Sequence, residues 1–171
     1  MGRDTGLFKA ILVPVDFSPC SDEAFRVACE LARVCGSEVV VLHVIDTSAL
    51  AAFNRLGLLA VPSGATAQRR RLRHHARLNV RRLLESDGAT DVALTRMIVE
   101  GAPFVEIARI ARMGKVDLVV MGTYGGRSGS VDKIFFGSTA EKVVRTAGYP
   151  VLTVPLPVRA VQRKSTRIKG G

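Results

Sequence analysis

Gly122, Gly125, Gly126 and Gly129 follow directly on the apolar run Leu118 to Met121, and Gly137-Ser138 opens a stretch of helical spacing. A buried strand that feeds a glycine-rich loop and then a helix is an arrangement suited to phosphate. Glycine lets the backbone approach closely, and the free N–H groups at a helix start favour negative charge. The same pattern also describes a flexible surface connection, so on its own the stretch leaves both readings open. A second segment of interest is Pro14-Val15-Asp16, which ends the apolar run Ala10 to Val13. The Asp16 carboxylate, or the backbone beside it, can accept hydrogen bonds from a purine amino group or a ribose hydroxyl. Asp16 is equally readable as an ordinary turn aspartate. Asp132 is a single carboxylate in the glycine-rich stretch. One carboxylate with no partner to place it is weak support for activating water, so little or no hydrolysis is expected. His43, alone in the run Val39 to Ile45, reads as a satisfied core histidine rather than a ligand or base.

These residues need elements to position them. Lys9 to Val15 reads as a first strand, its short apolar run marking a strand covered on both faces. Ser18 can cap the next helix, with Pro19 at its first position and Asp22 and Glu23 in its first turn. Ala24, Val27, Ala28, Leu31, Ala32 and Cys35 recur at helical spacing, and Gly36 is the natural stop. Glu38 to Ile45 is a second buried strand. Asp46 to Thr66 reads as a long connection with a helical turn around Ala49 to Leu56, and a helix follows from about Ala67 to Ser86. Its apolar stripe is Leu72, Ala76, Val80, Leu83 and Leu84. Asp91 to Val99 alternates, as a strand near a sheet edge does. Pro103 launches a helix with Phe104, Ile107, Ala108 and Ala111 on one face. Leu118 to Met121 is the fourth strand. Ser138-Thr139-Ala140-Glu141 fits a capping box, although the same Ser138 hydroxyl can instead serve a phosphate. Val143, Val144 and Ala147 are expected to face inward, and Val151 to Val154 is the fifth strand.

Strand and helix alternate throughout, which predicts an α/β fold with a parallel sheet and helices on both faces. In such sheets ligands bind beyond the carboxyl ends of the strands, where the strand order reverses. Both segments of interest lie at carboxyl ends of apolar strands, which favours a nucleotide site.

Composition bounds the rest. The 171 residues fit one domain, residues 1–157, with a basic tail, 158–171, expected to be disordered. No apolar run reaches the roughly 18 residues that a membrane span needs, and no signal peptide is evident. A cytoplasmic location is expected. Cys20, Cys29 and Cys35 match no metal or redox spacing and read as reduced thiols. The net charge of +10 gathers in two clusters, Arg69 to Arg82 and Arg159 to Lys169. Neither has interleaved aromatics for base stacking. They read as a solvated helix face and a basic tail rather than a nucleic-acid site.

Six separated motifs, in order, resemble the universal stress protein family from about Phe8 to Val154. They are Ile11 to Ser18, Val41 to Asp46, Gly101-Ala102-Pro103, Asp117 to Thr123, Gly137 to Glu141 and Tyr149 to Val154. The resemblance implies a Rossmann-like five-stranded parallel sheet of order 3-2-1-4-5. It also implies a homodimer in which the last strands, here Val151–Val154, pair. One branch of that family binds ATP through glycine, two residues, glycine, nine residues, then glycine and Ser or Thr. Here Gly122 and Gly125 have the two-residue interval, but eleven residues separate Gly125 from Gly137-Ser138. Carried over residue by residue, the resemblance places Asp16, Val44 and backbone at Pro14 and Val15 around the adenine. Met121 and Gly122 fall near base and ribose. Gly125, Gly137, Ser138 and Thr139 fall at the phosphates and ribose. Arg127 is added on charge alone, as a group able to reach a phosphate, and Mg²⁺ is expected with the triphosphate.

The leading expectation is therefore a stress-response regulatory protein, in which ATP switches dimer contacts or contacts to an unidentified protein partner. Alternatives are a slow ATPase, a basic interaction module, and a dimeric partner-binding protein whose longer loop has lost ATP.

Overall fold

The computed structural model describes residues 6–48, 65–86, 89, 91–124 and 136–156. The expected helical turn at Ala49 to Leu56, Gly125, Gly126, Arg127, Gly129, Asp132 and the 158–171 tail lie outside them. The described elements are β1 (Ala10–Pro14), α1 (Pro19–Cys35), β2 (Glu38–Asp46), α2 (Ala65–Leu84), β3 (Ala93–Gly101), α3 (Pro103–Met113), β4 (Leu118–Gly122), α4 (Ser138–Thr146) and β5 (Val151–Val154). All strand pairs are parallel, and the order is β3-β2-β1-β4-β5.

The two-residue alternation along β1 and β4 sorts their apolar side chains into two layers. Ile11, Val13, Leu118 and Val120 pack with Phe25, Ala28, Cys29 and Ala32 of α1 and Val80 of α2. Leu12, Val119 and Met121 face the other way, against Ile107, Ile110 and Ala111 of α3 and Ala140 and Val143 of α4. Continuous apolar runs are what a strand covered on both faces requires. β3 lies at one edge, which accounts for its more alternating sequence.

Helix ends follow local chemistry. The Ser18 hydroxyl accepts from the Ser21 N–H, Pro19 takes the first turn, and Gly36 closes α1 in the left-handed conformation with φ 72°. The three cysteines are free and buried. Two expectations are corrected in α2 and α4. Leu72 is 46% exposed, because α2 meets the sheet later, through Val80, Leu83 and Leu84. Val144 is also exposed, because the short α4 turns only Ala140 and Val143 inward.

Asp117 ties the start of β4 to the start of β1. Its Oδ2 accepts from the N–H groups of Lys9 at 2.7 Å and Ala10 at 3.0 Å. The Ala10 and then the Lys9 N–H hold this carboxyl below the usual carboxylate range. A carboxyl depressed on folding stabilises above its unfolded value of about 3.9, and that contribution is lost as pH falls through the lower folded value. Asp117→Ala should therefore be less stable than wild type at neutral pH, with the gap closing as acid protonates the Asp117 carboxyl of the folded protein. Urea unfolding of both proteins from neutral to acid pH checks it, and a constant gap would place the effect elsewhere.

Candidate functional site

The sheet opens between β1 and β4. Their ladder pairs only Ile11 with Leu118 and Leu12 with Val119. In a parallel strand, alternate residues address opposite neighbours. The Lys9 carbonyl accepts from Glu38 and the Val15 N–H donates to Leu42, both on the β2 side, whereas the Ala10 carbonyl accepts from Asp117 on the β4 side. Pro14 therefore falls on the β4 side. It has no N–H to extend that ladder. The two strands part there, at the point where the strand order reverses.

The loop after β1 is fixed tightly at this opening. The Asp16 Oδ1 accepts from the Ser18 N–H at 3.0 Å. Phe17 sits at φ 61°, an uncommon backbone state for a bulky residue. Its ring lies 4.5 Å from that of His43, whose Nδ1 is 2.8 Å from the Val15 carbonyl. His43 is thus a satisfied histidine that holds the loop from the opposite face of β2.

On the other side, β4 runs into Thr123, whose N–H donates to Val154 and whose carbonyl accepts from Gly137 at 2.8 Å. That bond brings the start of α4 back to the end of β4. The expected capping box is corrected here. Gly137, not Ser138, is the N-cap of α4; its φ is −62° and ψ 152°, with no side-chain cap, and the Glu141 N–H donates to its carbonyl. The N–H groups of Ser138, Thr139 and Ala140 precede that first helical bond, so α4 offers them no acceptor. Aligned peptide dipoles add a partial positive charge at this end.

The result is a cleft of about 370 Å³ at the carboxyl ends of β1, β2 and β4. Nine of the eleven expected site residues border it: Pro14, Val15, Asp16, Val44, Met121, Gly122, Gly137, Ser138 and Thr139. Gly125 and Arg127 lie outside the described residues. The floor is apolar, formed by Leu42, Val44, Met121, Ile107 and Ala140. Its rim is polar and of two kinds. Asp16 and Asp46 supply carboxylates near the ends of β1 and β2, and Ser138 and Thr139 supply hydroxyls beside the uncapped start of α4. No Lys or Arg borders the cleft among the described residues. Nor do these residues include a group of three or more His, Cys, Asp or Glu able to hold a metal ion.

Gly122 has a reason to be glycine that its spacing concealed. A Cβ there would come within 2.8 Å of the Cys20 Cβ and 2.9 Å of the Cys20 carbonyl carbon. The close approach is between the end of β4 and the first turn of α1. Asp46 was missed as a cleft residue, although alternation from Val44 places it on the same face of β2. Its Oδ1 accepts from the Ser48 N–H and hydroxyl at 2.8 and 2.6 Å.

Fold and cleft together define a doubly wound α/β protein with a cleft at its topological switch point, the place where sheets of this kind bind ligands. The universal stress protein family model matches residues 7–155, and the chain belongs to that family. A universal stress protein of Methanocaldococcus jannaschii is 33% identical over 151 residues, covering 88% of this chain and 84% of the relative. The solved structure of MJ0577, another universal stress protein of that archaeon, superposes with a TM-score of 0.71 at 26% identity, covering 87% of this chain and 96% of that one. A universal stress protein from Archaeoglobus fulgidus, solved in complex with dAMP, shares the fold with a TM-score of 0.53 at 20% identity, covering 86% of this chain and 98% of that one. No described helix is long and apolar enough to cross a membrane.

Proposed function

We propose that the cleft binds ATP as a regulatory ligand, with Mg²⁺ carried by its phosphates. The observation that carries this reading is the polarity of the cleft. An apolar floor joins a carboxylate end at Asp16 and Asp46 to an uncapped helix start at Ser138 and Thr139. A nucleotide has the matching polarity: a flat base, a hydroxyl-bearing ribose that donates hydrogen bonds, and an anionic tail. Adenosine lies toward Asp16, Val44 and Met121, and the phosphates lie toward α4. Gly125 and Arg127 complete the phosphate end. The dAMP carried by the Archaeoglobus fulgidus protein supports an adenine nucleotide in this fold.

ATP acts here as a switch rather than a substrate, by binding two states of the protein unequally. The state it biases is a homodimer through β5. That strand is one of the two edges of the sheet among the described residues, carries Val151, Leu152 and Val154, and would be a pairing hazard if left open. A regulatory protein partner, not identified by the sequence, reads the switch inside the cytoplasm.

Titration of the purified chain with Mg-ATP by calorimetry tests the reading, with Mg-GTP and Asp16→Ala alongside. Saturable ATP binding, weaker GTP binding and a loss of about tenfold or more in Asp16→Ala are expected, the last from a lost hydrogen bond to a charged acceptor. Sedimentation with and without ATP reads the dimer. Folded protein with no saturable ATP binding would overturn the proposal.

A further inference from the structure

We propose that the outward face of α2 docks on the phosphate backbone of duplex DNA, without reading sequence. This helix, Ala65–Leu84, carries seven arginines and no Asp, Glu or Lys. Three of the arginines are engaged: Arg69 and Arg73 clamp Glu100 of β3, and Arg81 pairs with Glu85. The clamp holds the Glu100 carboxyl below its usual range, through the Arg73 hydrogen bond first. It also links α2 to β3. Arg70, Arg71, Arg77 and Arg82 are exposed and make no ion pair among the described residues. At 100° per residue they fall within an arc of about 140° opposite Ala76 and Val80, and span about 18 Å of helix.

The chemistry of this face selects its partner. It presents no Phe, Tyr or Trp, so a protein partner would find arginine here without the large aromatic anchors that accompany it at most binding hot spots. A helix that binds a bilayer inserts a continuous apolar side, whereas α2 packs Val80, Leu83 and Leu84 on the sheet and exposes only the separate Leu72 and Leu78. Arginine forks suit phosphate oxygens, and a duplex presents them densely and regularly. The B-form major groove, about 12 Å wide, admits an exposed helix ridge, whereas the A-form RNA major groove is too narrow. Without Phe, Tyr or Trp for stacking, single strands are disfavoured. The arginine cluster, expected to be only a solvated face, is thereby given a partner independent of the nucleotide cleft.

The test uses the full chain, tail included, and fluorescence anisotropy with a labelled random-sequence DNA duplex of about 30 base pairs at several salt concentrations. Affinity should weaken on the order of 100-fold between about 50 and 200 mM salt for four released counterions. The variant carrying Arg70→Gln, Arg71→Gln, Arg77→Gln and Arg82→Gln keeps helix-forming residues at exposed positions. It should bind about tenfold or more weaker, with a shallower salt slope and an unchanged circular dichroism spectrum. Parallel arms use an RNA duplex, anionic phosphatidylserine vesicles and polyglutamate of matched charge. Equal or tighter binding in any of those arms would overturn the assignment to DNA. Equal affinity and salt slope in wild type and variant would overturn the assignment to α2.

Discussion

Gly122→Ala should lower the thermal unfolding midpoint by roughly 4–8 °C. The added Cβ would stand 2.8 Å from the Cys20 side chain and 2.9–3.0 Å from the Cys20 backbone. A flexible side-chain tip could move aside, but the backbone at the start of α1 cannot without disturbing that helix. Forced overpacking of this kind costs about 2 kcal/mol, within the usual range of about 1–3. In a domain of this size each kcal/mol shifts the midpoint by about 2–4 °C. Gly122→Val adds two methyl groups to the same conflict and should lose more. Gly148→Ala is the control, because a Cβ there meets nothing within 4 Å. Calorimetric melts of the three variants decide it. Equal midpoints for Gly122→Ala and Gly148→Ala would mean that β4 and α1 separate freely.

This result bears on how the proposed nucleotide site is probed. Gly122 borders the cleft, so a bulky substitution there would be expected to abolish binding by crowding the ligand. The Cys20 contact makes the same loss an outcome of misplaced strands. Gly122 is therefore a poor probe of ligand contact, and the start of α4 is a better one.

Ser138→Glu should weaken Mg-ATP binding at least about 100-fold, equivalent to about 2.7 kcal/mol, while leaving the fold as stable as wild type. Ser138 is exposed and occupies the first position of α4. A carboxylate in the first turn of a helix is favoured by the dipole, so no loss of stability is expected. The same carboxylate would stand where the phosphates are proposed to lie. Like charges about 4 Å apart repel by about 4 kcal/mol at an effective dielectric near 20, which exceeds the required loss. Calorimetry with ATP and with adenosine separates the two ends of the cleft. Adenosine lacks the anionic tail, so its binding should change little. Unchanged ATP affinity in a folded Ser138→Glu protein would remove the phosphates from α4 and invert or abolish the proposed pose.

Much of the fold was legible because its elements are punctuated by residues with few alternatives. Ser18, Pro19 and Gly36 bound α1 by capping and by a left-handed turn, and those constraints act locally. The apolar runs in β1, β2 and β4 marked strands covered on both faces. Where reading failed, the deciding contacts were distant or geometric. Leu72 fits the helical stripe, yet α2 meets the sheet too late to cover it. Ser138 fits a capping box, yet the bond between the Gly137 N–H and the Thr123 carbonyl places Gly137 at the cap.

By itself the sequence determined the alternating α/β plan, the family resemblance and most of the residues around one cleft, because strand ends and glycines are recorded locally. Only the tertiary structure decided why that cleft opens and what its glycine is for. Pro14 breaks a ladder only because the fold turns it toward β4, and Gly122 must lack a side chain only because Cys20 approaches it. Both are contacts between segments about 100 residues apart in the chain, and no local spacing encodes them.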